Sequence, residues 1–179
     1  MEKSIVLLSG GMDSATALSI AKRKKLSCYA LTMDYGQKHS IEIEKAKLIA
    51  EHFQVVEHKI IEIDLTVFGG SALTDKNINI PEHESQGIPV TYVPARNTIF
   101  FSLALAWAEV IQANSIYSGV NAIDYSGYPD CRPEYIKAMQ ALVNLATKAT
   151  VEGSSIAIEA PLLNMNKMDI IKKGIENNV

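Results

Sequence analysis

Apolar residues along this chain come in short dense runs that alternate with stretches spaced for a helix. Residues 4 to 8, "SIVLL", read as a buried strand, and Ala17, Leu18 and Ala21 recur at helical spacing between Asp13 and Lys25. The alternation continues with a strand at about 27 to 33 in "SCYALTM", a helix over "HSIEIEKAKLIAEHF" and a strand in "VVEHKIIEI". The stretch from Arg96 to Asn114 is apolar nearly all round and predicts a central buried helix. A fourth strand follows in "SIYSGV", then an amphipathic helix from Pro133 to Thr150, a strand near Ser155 to Ile158 and a last helix from about Asn166 to Asn177. Strands alternating with helices predict an α/β fold: an open, mainly parallel five-stranded sheet with helices on both faces, joined by right-handed crossovers.

Two stretches break the pattern. Residues 69 to 91 carry Gly, Pro, Asn and Asp with no sustained period, and "YSGYPDCRPEY" is a turn-rich loop just after the fourth strand. Ligands of open α/β sheets bind beyond the carboxyl ends of the strands, so the loops after Leu8, Met33 and Val120 are the places to look for function. No repeat or linker divides the chain, and a single domain over residues 1 to 179 is expected.

Composition narrows the classes. Hydrophobic residues make up 47% of the 179, enough for a sizeable core. The 17 basic and 20 acidic side chains give a net charge of -3, which offers no basic field for nucleic acid and favours a small-molecule substrate. The apolar run before the first glycines is too short for a signal peptide, and no run approaches a membrane span; a cytoplasmic protein is expected. Two cysteines, Cys28 and Cys131, make neither a disulfide framework nor a four-thiolate zinc site.

The segment from Leu8 to Leu18, "LSGGMDSATAL", holds the candidate chemistry. Gly10 and Gly11 let backbone amides approach an anion, Ser9 and Ser14 add hydroxyls, and the helix that follows directs its positive end at the same point. Asp13 is placed at the helix N-cap, and beside a polyphosphate it would also suit Mg²⁺. A plain strand-to-helix turn is the alternative. Met12 and Asp13 stand where a Walker loop has its lysine and hydroxyl residue, which excludes that motif.

The SGGxDS form of the loop resembles the pyrophosphate-binding loop of the N-type ATP pyrophosphatases, which implies ATP cleavage between the α and β phosphates. "DYGQKH", "GGSALTD", "IPVTYVPARNTIF", "GVNAIDYSGYPDCRPEY" and "NLATKA" are similar to successive motifs of the QueC family, the 7-cyano-7-deazaguanine synthases. The resemblance covers essentially the whole chain. It implies a Rossmann-like, adenine nucleotide alpha hydrolase-like fold and a ligase that turns 7-carboxy-7-deazaguanine and ammonia into the nitrile preQ0 for queuosine, using ATP with Mg²⁺. AMP with pyrophosphate is the expected product pair, and ADP with phosphate stays open. A nucleotide-binding core without catalysis and another adenylating amidotransferase are the competing readings.

On that resemblance the ATP-binding stretch is Leu8, Ser9, Gly10, Gly11, Met12, Asp13, Ser14, Ala15, Thr16, Ala17 and Leu18, with Tyr35 and Gln37 from the second loop; His39 is set aside as a solvated or capping residue. Asp13, Ser14, Arg96 and Lys167 are the candidate catalytic residues: Arg96 as a guanidinium fork for nucleotide or substrate carboxylate, Lys167 as an ammonium for a phosphate. Asn97, Asp124, Tyr125, Ser126, Asp130 and Arg132 are the candidate substrate contacts, where carboxylates accept from ring NH and amino groups and Tyr125 and Tyr128 stack on a flat base. The competing roles are an ion pair for Arg96 and a helix cap for Asn97. The family also implies a structural Zn²⁺ on four cysteines of a C-terminal segment, and a homodimer of the full-length protein. No such cysteine set occurs here, so loss of that segment and impaired catalysis are expected.

Overall fold

The computed structural model describes residues 1–36, 41–75, 78, 87–123 and 127–179. Five parallel strands form one sheet: β1 (Lys3–Leu7), β2 (Ser27–Asp34), β3 (Glu57–Glu62), β4 (Ser115–Tyr117) and β5 (Ala157–Glu159), in the spatial order β3-β2-β1-β4-β5. The helices are α1 (Met12–Arg23), α2 (Ile41–His52), α3 (Arg96–Ile111), α4 (Pro133–Ala146), α5 (Lys148–Val151) and α6 (Lys167–Glu176), with single 3₁₀ turns at Thr66–Phe68 and Pro129–Cys131.

Period-two alternation sorts the strand side chains between two cores. Ile5, Leu31, Met33 and Ile116 pack on one face with Phe101, Leu105 and Trp107 of α3 and Met139 and Val143 of α4. Val6, Leu8, Ala30 and Tyr117 pack on the other with Leu18 and Ala21 of α1 and Ala46 and Ala50 of α2. The expected five-stranded, doubly covered sheet is therefore present.

Its details differ from the sequence reading in four places. The helix foreseen over 133 to 150 breaks at Thr147, which adopts extended backbone (φ -117, ψ 146) and whose side chain accepts the Thr150 N–H to start α5. Residues 118 to 120 leave the sheet, because β4 pairs with β1 and β5 only over Ser115–Tyr117. The last strand begins two residues later than expected, at Ala157, and Gln140 of α4 binds this edge through Ile158 N–H (2.7 Å) and the Ile156 carbonyl (3.0 Å). Finally, α3 is not buried all round: Ser102, Ala106 and Val110, four residues apart, form an exposed stripe.

The chain leaves β1 in one direction for β2 and β3 and later in the other for β4 and β5, so the order reverses between β1 and β4. That crevice is where the loops after both strands meet, and where ligands of such sheets bind.

Candidate active site

The turn after β1 is built around two glycines with different reasons to be there. Gly10 has φ +81, and a Cβ on it would lie 2.1 Å from the Glu42 carbonyl oxygen of α2. Only glycine fits there. Gly11, not Asp13, is the N-cap of α1, in extended backbone with no side-chain cap. The first-turn amides are thus left for an anion rather than satisfied by a side chain.

Serines shape the loop. Ser14 Oγ accepts the Ser9 N–H (3.1 Å) and donates to the Gly11 carbonyl (2.8 Å), while Ser9 Oγ accepts the Gly11 N–H (3.3 Å). Asp13, the second residue of α1 and not its N-cap, meets Lys167 at the start of α6, with Nζ 2.9 Å from Oδ1. A cation from the far end of the chain therefore stands at the mouth of the loop. Leu8, Ala15, Thr16, Ala17 and Leu18 are buried in the core, so side-chain contact from the 8 to 18 stretch is confined to residues 9 to 14.

Gly119, which sequence reasoning did not single out, closes the other side. It follows β4, and a Cβ there would lie 2.7 Å from both the Asp13 carbonyl carbon and the Ser14 nitrogen. Two backbones cross at van der Waals distance. Nothing local in "SGVNA" announces this, since the contact depends on β1 and β4 being neighbours in the sheet.

A second group gathers at the N-terminus of α3. Ala95 holds a left-handed conformation (φ 54) and donates its N–H to Tyr92 Oη (3.1 Å), a turn that costs a non-glycine residue about 1 kcal/mol. It aims Arg96 over the rings of Tyr35 (5.9 Å) and Phe100 (6.0 Å). Burial works against the Arg96 charge, but the Tyr35 hydroxyl, Asp130 and Cys131 more than offset it and hold its pKa above the ordinary arginine value. Tyr35 itself is buried against Phe100, so it supports Arg96 from below.

Asn97 turns inward. Its amide donates to the Asp130 carbonyl (3.0 Å) and Cys131 Sγ (3.5 Å), and its N–H donates to Asp130 Oδ2 (3.1 Å). Asp130, 5% exposed, thereby supplies the N-terminal cap that α3 lacks of its own, and its Oδ1 is buried with no hydrogen-bond partner among the described residues. Beside it lies a cleft of about 380 Å³ lined by Tyr92, Thr98, Asp130, Arg132, Glu134 and Tyr135. Arg132 is exposed, its Nε on the Pro129 carbonyl (3.1 Å). Burial pushes the Tyr135 phenol up to about 12, against the opposing effect of its bond with Thr98, so it stays a neutral hydroxyl. Tyr92, Thr98, Glu134 and Tyr135 were not foreseen as site residues; only the turn-rich composition of the neighbouring loop pointed here. The candidates Gln37, Asp124, Tyr125 and Ser126, and also His39, lie outside the described residues.

Burial also raises the thiols of Cys28 and Cys131, each to about 11. That rise leaves about a hundredfold less thiolate at pH 8 than an ordinary thiol has. Both cysteines are therefore expected to resist iodoacetamide in the native protein and to label at once in urea; rapid native labelling of Cys131 would make it a reactive group after all. Cys28 packs in the core under α1 and α2 while Cys131 is buried beside Asn97, and no cluster of three His, Cys, Asp or Glu that could hold a metal occurs among the described residues. They do not fit a zinc site. No helix among those residues is long and apolar enough to cross a membrane.

Residues 3–179 match the model of the family described as queuosine biosynthesis protein QueC. A 7-cyano-7-deazaguanine synthase of Pseudomonas putida (strain W619) is 55% identical over 99% of this chain and 80% of its own length. One of Stutzerimonas stutzeri (strain A1501) is 56% identical over 97% of this chain and 77% of its own. Among solved structures, a predicted subunit of tRNA methyltransferase from Methanocaldococcus jannaschii superposes with TM-score 0.61 at 16% identity, covering 98% of this chain and 75% of that one. A 4-thiouridine synthetase–RNA complex with bound ATP gives TM-score 0.59 at 18% identity, covering 98% and 40%. These two likenesses concern the fold alone.

Proposed function

The chain belongs to the QueC family, and from that premise we propose how its residues make 7-cyano-7-deazaguanine from 7-carboxy-7-deazaguanine, ammonia and ATP. The observation that carries the reading is 55% identity held over 99% of the chain with a synthase of that name. The enzyme is a carbon–nitrogen ligase of queuosine biosynthesis.

A carboxylate resists ammonia because neither oxygen is a leaving group, so one oxygen attacks the α-phosphorus of ATP and pyrophosphate departs. The amides at the start of α1, the hydroxyl of Ser9 and the ammonium of Lys167 receive that pyrophosphate, and Ser14, bonded to the Ser9 N–H and the Gly11 carbonyl, holds the loop in the shape that receives it. Ammonia then adds to the acyl carbon and AMP leaves with one carboxylate oxygen, giving the amide. The amide oxygen attacks a second ATP in the same way, and loss of the second AMP leaves the nitrile. Nitrogen surrenders three protons across the sequence, and each AMP carries away one oxygen of the original acid. AMP and pyrophosphate are thus the products; detection of ADP and phosphate would move the cleavage to the γ position.

Arg96 faces the substrate carboxylate, and Asn97 and Asp130 hold the start of α3 so that it does. The base lies in the cleft at Tyr92 and Glu134, with Arg132 in its lining, and Asp124, Tyr125 and Ser126 remain the substrate contacts expected from the family motif. Mg²⁺ arriving with ATP would be held by Asp13 and phosphate oxygens, neutralising charge on the leaving pyrophosphate. The enzyme works in the cytoplasm as a single domain over these residues, without nucleic acid or membrane, and pairs as a homodimer.

The test supplies ATP, Mg²⁺, ammonium and 7-carboxy-7-deazaguanine and follows the nitrile by mass. Asp13→Ala and Ser14→Ala are each expected to lose ATP turnover at least tenfold with unchanged far-UV circular dichroism, about the value of one or two charge-assisted hydrogen bonds. Full turnover in both variants would reduce residues 9 to 14 to a turn. Saturable ATP binding with no nitrile would favour a nucleotide-binding core.

A further inference from the structure

The loops that leave β4 and β5 are joined at one buried side chain. Asn121 is 0% exposed, and its Nδ2 donates to the carbonyls of Leu162 (2.7 Å) and Met165 (2.6 Å). Its Oδ1 accepts the Ile123 N–H (2.9 Å), and the next residue, Ala122, donates its N–H to the Leu163 carbonyl (3.0 Å). A side-chain amide is the group that provides two donors and an acceptor in this volume. Aspartate would set two acceptors against two carbonyls, and an aliphatic residue would leave both carbonyls buried and unpaired.

Both ends of this joint lead to the pyrophosphate loop. On the β4 side, Gly119 lies against the backbone of Asp13 and Ser14. On the β5 side, the turn at 162 to 165 delivers Asn166, whose Oδ1 caps α6 through the Asp169 N–H (3.0 Å), and the next residue is Lys167, 2.9 Å from Asp13. Lys167 is the first residue of α6 and about half exposed at its side chain. Its place depends on where α6 begins, and that is set by the turn Asn121 holds.

We propose that Asn121 is a positioning residue for Lys167: by fixing the 162 to 165 turn it sets the ammonium at a constant place over the loop that binds the phosphates. The inference rests on the reading of residues 9 to 14 as the ATP site. It predicts that the amide acts on nucleotide through the lysine and not independently of it.

A double-mutant cycle on the protein tests this, read by the dissociation constant of MgATP and, where nitrile forms, by kcat. Asn121→Asp is expected to weaken MgATP about tenfold and to lower kcat by a similar factor. In a Lys167→Ala background the same change should alter neither by more than twofold. Losses that multiply would overturn the proposal, because Asn121 would then act by another route. Should Asn121→Asp not fold, Asn121→Ser, which keeps one donor, takes its place in the cycle. Because the binding arm does not require nitrile formation, an inactive wild type would count against the proposed reaction while the cycle still decides the role of Asn121.

Discussion

Gly10→Ala is expected to cut kcat/KM for ATP on the order of a thousandfold. The new methyl would sit 2.1 Å from the Glu42 carbonyl oxygen, well inside contact distance, and the residue would have to keep φ at +81. Neither partner can yield cheaply: Glu42 lies in the first turn of α2, and Gly10 is fixed between β1 and α1. Relief requires the loop to move by about 1 Å, a displacement that alone costs roughly a hundredfold when reacting groups are held for in-line attack. Loss of a well-placed backbone donor to the pyrophosphate adds on the order of ten- to a hundredfold more. Gly119→Ala presses on Asp13 and Ser14 from the opposite side at 2.7 Å and should produce a smaller loss of the same kind. Stopped-flow or discontinuous pyrophosphate release, with thermal unfolding as a control, reads both. Near-normal turnover in Gly10→Ala would mean that the loop is not shaped for phosphate.

What the chain order made legible, and what it did not, follows the range of the interactions. The five strands and their covering helices were readable because apolar period is a local property, repeated every two or 3.6 residues. Thr147 escaped because a β-branched residue between apolar helical positions looks like a helix interior until its hydroxyl takes up the Thr150 N–H. The short β4 and β5 escaped for the opposite reason, since their length is set by three-residue pairing across strands and not by their own composition.

At the site the same division holds. Glycines and serines in "LSGGMDS" mark a phosphate cradle locally, yet Asp13 looks like an N-cap until Lys167, 154 positions away, is brought to it. Gly119 and Asn121 carry no local signal, because their reasons for being Gly and Asn are contacts with the loops of other strands. The sequence offers Asp130 as a group for a purine-like base but not that its carboxylate also closes the start of α3, because the helix end it caps begins 33 residues before it. Sequence spacing finds sites built within one turn, and the sheet order assembles the rest.

Arg96→Met is expected to lower kcat/KM for 7-carboxy-7-deazaguanine about a thousandfold, the equivalent of roughly 4 kcal/mol for removing a buried, hydrogen-bonded charge from an ionic partner. The side chain sits over two aromatic rings with its charge held by Tyr35 and Asp130, an arrangement that leaves a cation in a water-poor place where a carboxylate gains most from it. Arg96→Lys should recover only a small part, since an ammonium neither spreads over both rings nor offers a fork to two oxygens. The two-activation reaction allows a sharper measurement. The amide intermediate carries no charge, so when it is supplied in place of the acid, Arg96→Met should lose at most about tenfold in the second, dehydrating step. Equal thousandfold losses from acid and amide would place Arg96 on the nucleotide instead, because ATP is common to both steps and the carboxylate belongs only to the first.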